Sequence, residues 1–515
     1  MDPGLPLASS LFIEGGKVSA VLDGLKADGP PARVETLDLE GRTILPSLTD
    51  AHLHLRNYAE SLVKIDCETE TKKECLERVA ERVKETPAGE WILGHGWNHN
   101  SWPDGYGSAA ELDQITTEHP VYLTGKSLHI SWANSKAMAA AGIKEGFPDP
   151  EGGAIQRDEA GVPTGISFEK AVKLFEDKIP KASVEKTTQN LITAQSNLWK
   201  MGLTGVHDFD QELCIKALRF LDQNDQLRLR VLKSIPKDFL DDAIGFGYKT
   251  GIGSDWLWYG GVKLFADGAL GPQTAAMLEP YEGTDEVGML LMSDEELYEI
   301  GIKAARSGLA LSVHAIGDLA NRTVLNALEN IRGFEKAEGT DPLPHRIEHV
   351  QIIDPADIDR LAELDVCASM QPIHATSDMV MADKFWGKRT AYAYAPAYQS
   401  KAGALVVFGS DAPVESPNPW LGLHAAVTRR RADGTPGPDG WHPEGRLTLQ
   451  NALEAFTCNP AVAAGRGNIQ GKLAPGYWAD LVVLDSDPFT LFPDELLDIS
   501  PSGTMVDGEW VWQDF

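Results

Sequence analysis

The stretch RTILPSLTDAHLHL (residues 42–55) combines an apolar run with two histidines, His52 and His54, close to its end. Successive side chains of a strand point to opposite faces, so these two histidines would share a face with their Cα atoms ~6.6 Å apart. That spacing lets both imidazoles reach one metal ion. The same residues are also compatible with a pair of solvated loop histidines, so other segments of the chain must distinguish the two interpretations.

Seven further apolar, β-rich stretches follow, and each ends in polar residues. They are GLTGVHDFD (202–210), LRLRVLKSI (227–235), LWYGGVKLFADG (257–268), LALSVHAIGD (309–318), HRIEHVQII (345–353), DVCASMQPIH (365–374) and ALVVFGSDAP (404–413). Several of the segments between them have helical periodicity, as in DLANRTVLNALENI (318–331). Eight strands that alternate with helices predict an α/β fold of the TIM type, a (β/α)₈ barrel.

The active site of such a barrel lies at the carboxyl ends of its strands. In this chain those ends carry His52, His54, His207, Lys263, His314, His349, His374 and Asp411. One polar residue at one strand end is weak evidence, but the whole set predicts a functional site. In HRIEH, His345 and His349 share a face but lie ~13 Å apart along a strand. Only His349 can therefore reach the rim, and His345 is expected toward the barrel floor.

The connection after the first strand is unusually long. About 145 residues separate the first two strands, far more than a βα connection needs. We therefore predict a large insertion at about residues 66–200 within a barrel domain of residues 49–471. Its Trp97 and Trp132 suggest a lid or pocket wall that contacts substrate, with aromatic packing inside the insertion as the alternative.

Both ends of the chain are rich in β-type patterns. SSLFIEGGKVSAVL (9–22) alternates around a Gly-Gly turn, and DLVVLDSDPF (480–489) and GTMVDGEWVW (503–512) are similar. Neither end alone has enough strands to be stable. We predict that they pair into one small β-sandwich domain built from residues 1–48 and 472–515.

The composition narrows the class of protein. A hydrophobic content of 43% is that of an ordinary globular chain, and a formal net charge of −30 argues against nucleic acid or an anionic membrane as partner. The first residues lack a signal-peptide pattern, and the five cysteines include no Cys-x-x-Cys pair. We expect a cytoplasmic protein with reduced cysteines that acts on a small molecule, with a homodimer left open.

The chain resembles the metal-dependent amidohydrolase superfamily. Its members have His-x-His on the first strand, lysine or glutamate on the fourth, histidines ending the fifth and sixth, and aspartate ending the eighth. HLH (52–54), Lys263, His314, His349 and Asp411 occur here in that order. GVKLFADGALGPQTAAM (261–277), HISWANSKAM (129–138) and FGSDAPVESPNPWLGL (408–423) are similar to the N-substituted formamide deformylase-like, or YtcJ-like, branch. The chain departs from this branch at Ser47, where glycine is usual, and at GPQTAA, which lacks an arginine that bears on substrate choice.

The resemblance implies two divalent metal ions, with Zn²⁺ expected, held by His52, His54, His314, His349 and Asp411. Lys263, carboxylated by CO₂, would bridge them. Imidazoles and carboxylates are usual zinc ligands, and an ion with an open position lowers the pKa of its bound water to about 7. Metal-bound hydroxide would attack an amide-type carbonyl, with Asp411 as general base and acid. The alternative for Lys263 is a side chain that snorkels or pairs with Asp267.

The predicted activity is hydrolysis of carbon–nitrogen bonds other than peptide bonds. His129, His207 and His374 are candidates for substrate contact or oxyanion stabilisation, with a structural role as the alternative. A mononuclear deaminase or an ester or lactone hydrolase on the same scaffold stays open. So does a catalytically silent binding protein, although such a barrel should have lost a ligand. Mononuclear deaminases of the superfamily usually lack the fourth-strand lysine and have HxxE after the fifth strand, where this chain has HAIG (314–317).

Overall fold

Among the residues that this computed structural model describes (7–23, 35–99, 102–125 and 130–515), eight parallel strands follow one another in chain order in one sheet. Seven of the eight lie within the stretches predicted from the sequence, and the third, Arg230–Pro236, extends one residue beyond its stretch. The strands are Leu48–Leu53, Leu203–Asp208, Arg230–Pro236, Leu257–Phe265, Leu311–Ala315, Arg346–His349, Cys367–Met370 and Val406–Phe408. The predicted α/β class with an eight-stranded parallel barrel is therefore confirmed.

The sheet closes at the carboxyl ends of its first and last strands. The backbone N–H of Asp411 donates to the carbonyl of His52 at 2.7 Å, and the N–H of His54 donates to the carbonyl of Ala412 at 2.8 Å. These two hydrogen bonds hold the ends of the first and eighth strands together. Closure thus occurs at the end of the barrel that carries the predicted metal ligands.

Gly409, just after the eighth strand, makes this closure possible. A Cβ at this position would lie 2.8 Å from Asp50 Oδ1 and closer still to the backbone nitrogen of His52. Asp50 itself accepts hydrogen bonds from the Ser410 hydroxyl at 2.5 Å and from the His52 N–H at 3.0 Å. We expect Gly409→Ala to lower the free energy of unfolding by about 1–3 kcal/mol, the usual cost of overpacking. Urea denaturation would measure it.

Gly245 is a matched control for that substitution because it lies in a helix and has open space where a Cβ would be added. Gly245→Ala should leave stability unchanged or raise it, since alanine is the better helix former. Equal stability changes in the two variants would contradict the packing argument.

Helices cover the barrel between its strands. Those of the barrel unit are Val184–Lys200, Glu212–Gln223, Leu240–Gly245, Asp294–Arg306, Asp318–Glu338, Arg360–Glu363, Pro372–Trp386, Pro396–Ala402, Pro419–Thr428, Leu449–Phe456 and Cys458–Ala463. The long helix Asp318–Glu338 buries Val324, Leu325, Leu328 and Ile331, which is the stripe that its periodicity predicts. In the part of the chain that the structure describes, every helix is too short or too polar to cross a lipid bilayer.

The first predicted strand is two strands. Thr43–Pro46 belongs to an antiparallel sheet at the chain ends, and Leu48–Leu53 belongs to the barrel. The change occurs at Ser47, whose N–H donates to the carbonyl of Asp480 at 3.1 Å, whereas the next N–H donates to Gly202 at 3.0 Å. The two halves follow each other in one β-type stretch, separated by Ser47 alone, so the sequence pattern could not show that their pairing partners differ.

The two chain ends share one sheet. Its antiparallel strands are, in spatial order, Glu509–Gln513, Pro501–Val506, Leu481–Leu484 and Thr43–Pro46. A hairpin of Ser10–Glu14 and Lys17–Leu22 forms a separate two-stranded sheet. Its Val18 N–H donates to the carbonyl of Tyr477, in the segment before Leu481–Leu484, at 2.8 Å. The strands of both ends therefore pair, and the bounds of the predicted composite domain (1–48 and 472–515) stay a prediction.

The insertion is a compact unit of its own. The chain divides into one unit of Met1–Tyr58 and Thr187–Phe515 and another of Ala59–Lys186, where the sequence predicted about 66–200. The second unit contains a six-stranded sheet and short helices. Its strands, in spatial order, are Ile65–Asp66, Ile92–Trp97, Val121–Gly125, Ile130–Ala133, Pro163–Glu169 and Gly153–Arg157, and its helices include Lys72–Glu85, Ala109–Asp113, Ser135–Ala140 and Lys173–Glu176. The helix Leu55–Val63 leads into it.

Candidate metal centre

Five of the predicted metal ligands converge at the carboxyl ends of the barrel strands. Nε2 of His52 and Nε2 of His54 lie 3.5 Å and 3.4 Å from Asp411 Oδ1. The ring centroid of His349 is 4.8 Å from that of His52 and 4.5 Å from that of His314. Residues from the first, fifth, sixth and eighth strands therefore meet in one place, as the barrel topology requires.

Two groups of three potential ligands share the carboxylate of Asp411. One group is His52, His54 and Asp411; the other is His349, His374 and Asp411, and within each the ligand atoms lie within 4.8 Å of one another. His374 was predicted to contact substrate, and its position in the second group also makes it a potential metal ligand. His314 is outside both groups, although its ring packs against that of His349. Asp411 has its Oδ1 toward His52 and His54 and its Oδ2 toward His374.

The histidines have their outer nitrogens engaged by acceptors, which leaves the other nitrogen for a metal. His52 Nδ1 lies 2.6 Å from Glu348 Oε2, and His349 Nδ1 lies 2.8 Å from Gln371 Oε1. For His314 the engaged atom is Nε2, 2.9 Å from the carbonyl of Gly268. Because each of these nitrogens faces an oxygen acceptor, the proton of the neutral imidazole is assigned to that nitrogen. Such hydrogen bonds orient metal-ligating histidines and fix their tautomer.

His52 supplies the test of whether a metal fits this site. Its Nε2 is buried and has no hydrogen-bond partner among the described residues, although its Nδ1 is paired with Glu348. A buried polar nitrogen that makes no hydrogen bond lowers the stability of a protein, so such atoms normally have a partner. Burial and the nearby Lys263 ammonium lower the pKa of His52 to about 4, so the ring is neutral at pH 7. A neutral imidazole with a free, inward lone pair is the form that binds Zn²⁺ or a similar ion.

Asp411 is held between two histidines. Its Oδ2 lies 3.5 Å from His374 Nε2, while its Oδ1 faces His54. Burial works against the charged forms of both histidines, but hydrogen bonds to carboxylates outweigh it and raise the pKa of His54 to about 9 and that of His374 to about 10. The same contacts hold the pKa of Asp411 well below its usual range despite its burial. In the metal-free protein, protons on these rings supply the positive charge that Asp411 requires.

The backbone is strained at two of the ligands. His349 has φ of 80° and Asp411 has φ of 61°, both in the left-handed region that favours glycine. Such conformations persist where the surrounding structure imposes them, and they concentrate at functional sites. At both positions the unusual φ occurs where a barrel strand ends and the side chain joins the ligand cluster.

Lys263 is buried in the fourth strand, with 3% of its surface exposed. Its Nζ lies 4.6 Å from the ring centroid of Phe209 and 5.0 Å from that of Phe265. Burial lowers the pKa of Lys263 to about 8, which brings the neutral amine within reach near neutral pH. Asp267, the partner considered in the alternative interpretation, instead accepts backbone N–H groups, those of Ala276, Ile316 and Gly317.

Two other histidines have structural positions. Arg346 Nη1 lies 2.8 Å from His207 Nδ1 in the barrel interior, and burial with this cation lowers the pKa of His207 well below its usual value. His207 is therefore a partner of Arg346 in this structure, and its contact with substrate stays a prediction. His345 is fully buried, accepts the N–H of Leu311 at 3.0 Å and lies 3.1 Å from Glu335, as expected for the barrel floor.

The insertion residues assigned to substrate form part of its core. Trp97 and Trp132 are fully buried, with ring centroids 6.2 Å apart, and both pack against Trp102. Their indole N–H groups donate to the carbonyls of Leu123 and Ser108. This packing favours the alternative interpretation, aromatic packing within the insertion, and contact of these two tryptophans with substrate stays a prediction. His129 lies outside the described residues.

The sequence reasoning missed several residues around the ligands. Glu348 and Gln371 contact ligand histidines directly, Asp210 Oδ1 lies 3.6 Å from His54 Nδ1, and Phe209 stacks on His52 with ring centroids 4.1 Å apart. The available signal was a charged residue in an apolar strand, as in HRIEH and GVHDFD. That signal locates such a residue but does not show which histidine it contacts.

Comparison with known proteins agrees with this geometry. The profile of the amidohydrolase family matches residues 35–512. The putative amidohydrolase YtcJ of Bacillus subtilis (strain 168) is 31% identical over 98% of this chain and 96% of its own length. The N-substituted formamide deformylase of Arthrobacter pascens is 27% identical, covering 97% and 94% of the two chains.

A solved structure gives the same result. The uncharacterized metal-dependent hydrolase from Pyrococcus horikoshii OT3 superimposes with a TM-score of 0.77 at 28% identity, covering 94% of each chain. Sequence and fold are therefore similar along almost the whole length. This chain belongs to the amidohydrolase family.

Proposed function

We propose that this chain hydrolyses an amide-type carbon–nitrogen bond, other than a peptide bond, with the help of two divalent metal ions, Zn²⁺ being the expected one. The observation that carries the proposal is the cluster around Asp411. Neutral His52, with its unpartnered Nε2, and His349 face a carboxylate that both potential ligand groups share. A set of imidazoles around one carboxylate is a usual donor set for such ions.

The proposed ligands are His52, His54, His349 and Asp411, with His314 or His374 completing the set and carboxylated Lys263 as a bridge. When bound, the ions polarise the carbonyl of the substrate and lower the pKa of water. Carboxylation of Lys263 forms an N–C bond between the neutral amine and CO₂ with loss of one amine proton. The lowered pKa of Lys263, caused by burial, favours that neutral amine.

Asp411 has the position to move protons. We assign it the role of accepting a proton from the attacking water and returning it to the leaving nitrogen, which has to depart as a neutral amine. Its Oδ1 faces His52 and His54, while its Oδ2 faces His374. His374 is therefore placed to hold the Asp411 carboxylate in orientation during both transfers.

An apolar side chain next to the ligands supports a substrate with an apolar substituent. Phe265 ends the fourth strand, is 43% exposed, and has its ring centroid 5.3 Å from that of His314. An exposed aromatic ring at this point favours an apolar group on the amide. N-substituted formamides with alkyl or benzyl groups are accordingly the first substrates to test. A cytoplasmic location, a small-molecule substrate without nucleic-acid or membrane partners, and a homodimer stay predictions from the sequence.

Removal of metal should abolish most of the activity. Purified protein is expected to contain transition metal by elemental analysis, to lose turnover after dialysis against a chelator, and to regain it with Zn²⁺, Mn²⁺ or Co²⁺. The substrate panel would include N-substituted formamides, N-acyl amino acids, cyclic amides and esters. Preferred turnover of esters would favour the ester or lactone hydrolase instead.

A pair of histidine variants separates loss of metal from loss of fold. His52→Ala with His54→Ala should contain less metal and be inactive, whereas His345→Asn, a change at a buried histidine on the barrel floor, should keep its metal. Full activity in protein free of transition metal, or in the double variant, would show that the proposed mechanism is wrong.

A further inference from the structure

Glu348 is a fully buried carboxylate that contacts a potential metal ligand from the side away from the metal. Its Oε2 lies 2.6 Å from His52 Nδ1, and both side chains are within 1% of complete burial. The two residues are 296 positions apart in the chain, on the sixth and first barrel strands. A buried carboxylate requires compensation of its charge, so this position is costly unless a second partner stabilises it.

Arg346 is that second partner. Its Nε lies 2.6 Å from Glu348 Oε1, and its Nη2 lies 3.1 Å from Glu348 Oε2. The guanidinium is itself held by the carbonyl of Ala51 at 2.7 Å, the hydroxyl of Ser369 at 2.8 Å and Nδ1 of His207 at 2.8 Å. Groups from four strands thus restrict where the carboxylate of Glu348 can lie.

We propose that Glu348, held by Arg346, is a positioning residue that keeps His52 in the tautomer able to bind metal. A carboxylate accepts hydrogen bonds but donates none, so the contact at 2.6 Å requires the proton of His52 on Nδ1. The lone pair is then on Nε2, the buried nitrogen without a partner. This inference rests on the proposed metal centre.

The chemistry of Arg346 predicts what a glutamine at position 348 would do. Arg346 Nη2 donates to Glu348 Oε2, and the cationic Nε lies 2.6 Å from Oε1 without hydrogen-bond geometry. Either end of a glutamine amide at this position would therefore place its NH₂ against a nitrogen of the guanidinium. The less costly orientation leaves oxygen at the closer contact with Nε and turns the NH₂ toward Nη2 and His52. The amide would then donate to His52 Nδ1, which moves the imidazole proton to Nε2 and occupies the lone pair needed for metal.

Glu348→Gln should therefore bind Zn²⁺ about 10- to 100-fold more weakly than the original protein, as expected when such a partner of a ligand is lost. The affinity would be measured by competition with a chromophoric chelator, independently of turnover, alongside thermal unfolding of the metal-free protein. Unchanged Zn²⁺ affinity in a folded Glu348→Gln protein would overturn the inference.

Glu335→Gln is a matched control. Glu335 is also buried and also bonded to a histidine and an arginine, at 3.1 Å to His345 and 2.7 Å to Arg332, but His345 lies on the barrel floor. Its substitution should affect unfolding and leave Zn²⁺ affinity unchanged. Equal losses of Zn²⁺ affinity in the Glu335 and Glu348 variants would show a general structural effect and overturn the positioning role.

A second measurement needs no variant at Glu348. Metal-free protein labelled with ¹⁵N-histidine should show His52 protonated at Nδ1, with its signals assigned by their absence in His52→Asn. An Nε2–H tautomer at His52 would overturn the inference. If the original protein binds no Zn²⁺ at all, the proposed function fails; if it binds Zn²⁺ and only the variant comparison fails, the metal centre stands and this inference does not.

Discussion

Asp411→Asn should lose about 10³- to 10⁴-fold in kcat/KM, toward the upper end of what general acid–base catalysis contributes. An asparagine amide neither accepts a proton at pH 7 nor supplies two anionic oxygens. In this structure those oxygens face His52 and His54 on one side and His374 on the other. Steady-state kinetics on the best substrate of the panel would measure the loss, together with metal content.

Asp357→Asn is the control for this change. Asp357 is also a buried aspartate with cationic partners, Arg322 at 2.7 Å and Arg360 at 3.1 Å, and it follows the sixth strand outside the ligand cluster. Its substitution should lower thermal stability and leave kcat/KM of the folded protein unchanged. An Asp411→Asn protein that keeps more than about a tenth of the original activity would rule out the acid–base role, since that role is worth at least about 10²-fold.

Lys263→Ala should lose at least about 100-fold in activity and part of its metal while the barrel stays folded. Loss of a residue that only supports a ligand costs 10- to 100-fold, so loss of a bridging ligand should cost more. Lys263 is nearly completely buried, and burial lowers its pKa to about 8. The neutral amine that reacts with CO₂ therefore becomes more populated as the pH rises toward 8, and carboxylation of the metal-free protein should increase in the same direction.

Short carboxylic acids provide the sharper test of the bridge. Acetate or propionate should enter the space left in Lys263→Ala, replace the bridging oxygens and restore part of the metal content and turnover. Lys233→Met is the control, because Lys233 is also a buried barrel lysine but its Nζ is paired with Asp208 at 2.8 Å. Carboxylic acids should restore nothing there. Electron density for an unmodified Lys263 in fully metal-loaded, active protein would contradict the bridging role.

Much of the barrel could be predicted from the sequence because of how parallel strands are built. Each is covered on both faces, so each reads as an apolar run, and a polar residue at its end is conspicuous. All eight strands lie where such runs were found, and His52, His314, His349 and Asp411 meet as the shared carboxyl edge requires. The split at Ser47 was not predictable, since the two halves form one continuous β-type stretch and the strands they pair with are distant in sequence.

The partners of the ligands could not be predicted. Glu348 contacts His52 across 296 residues of chain, and His207 contacts Arg346, a partner that the sequence did not indicate. Trp97 and Trp132, predicted to form a lid or pocket wall, belong to one buried cluster of the insertion, and the sequence could not show which rings they pack against. The chain by itself determined the strand order and which residue types reach the rim, because these follow from local burial and periodicity. Only the tertiary structure decided which side chain faces which, because a hydrogen bond of 2.6 Å between distant strands depends on their register and on the closure of the barrel.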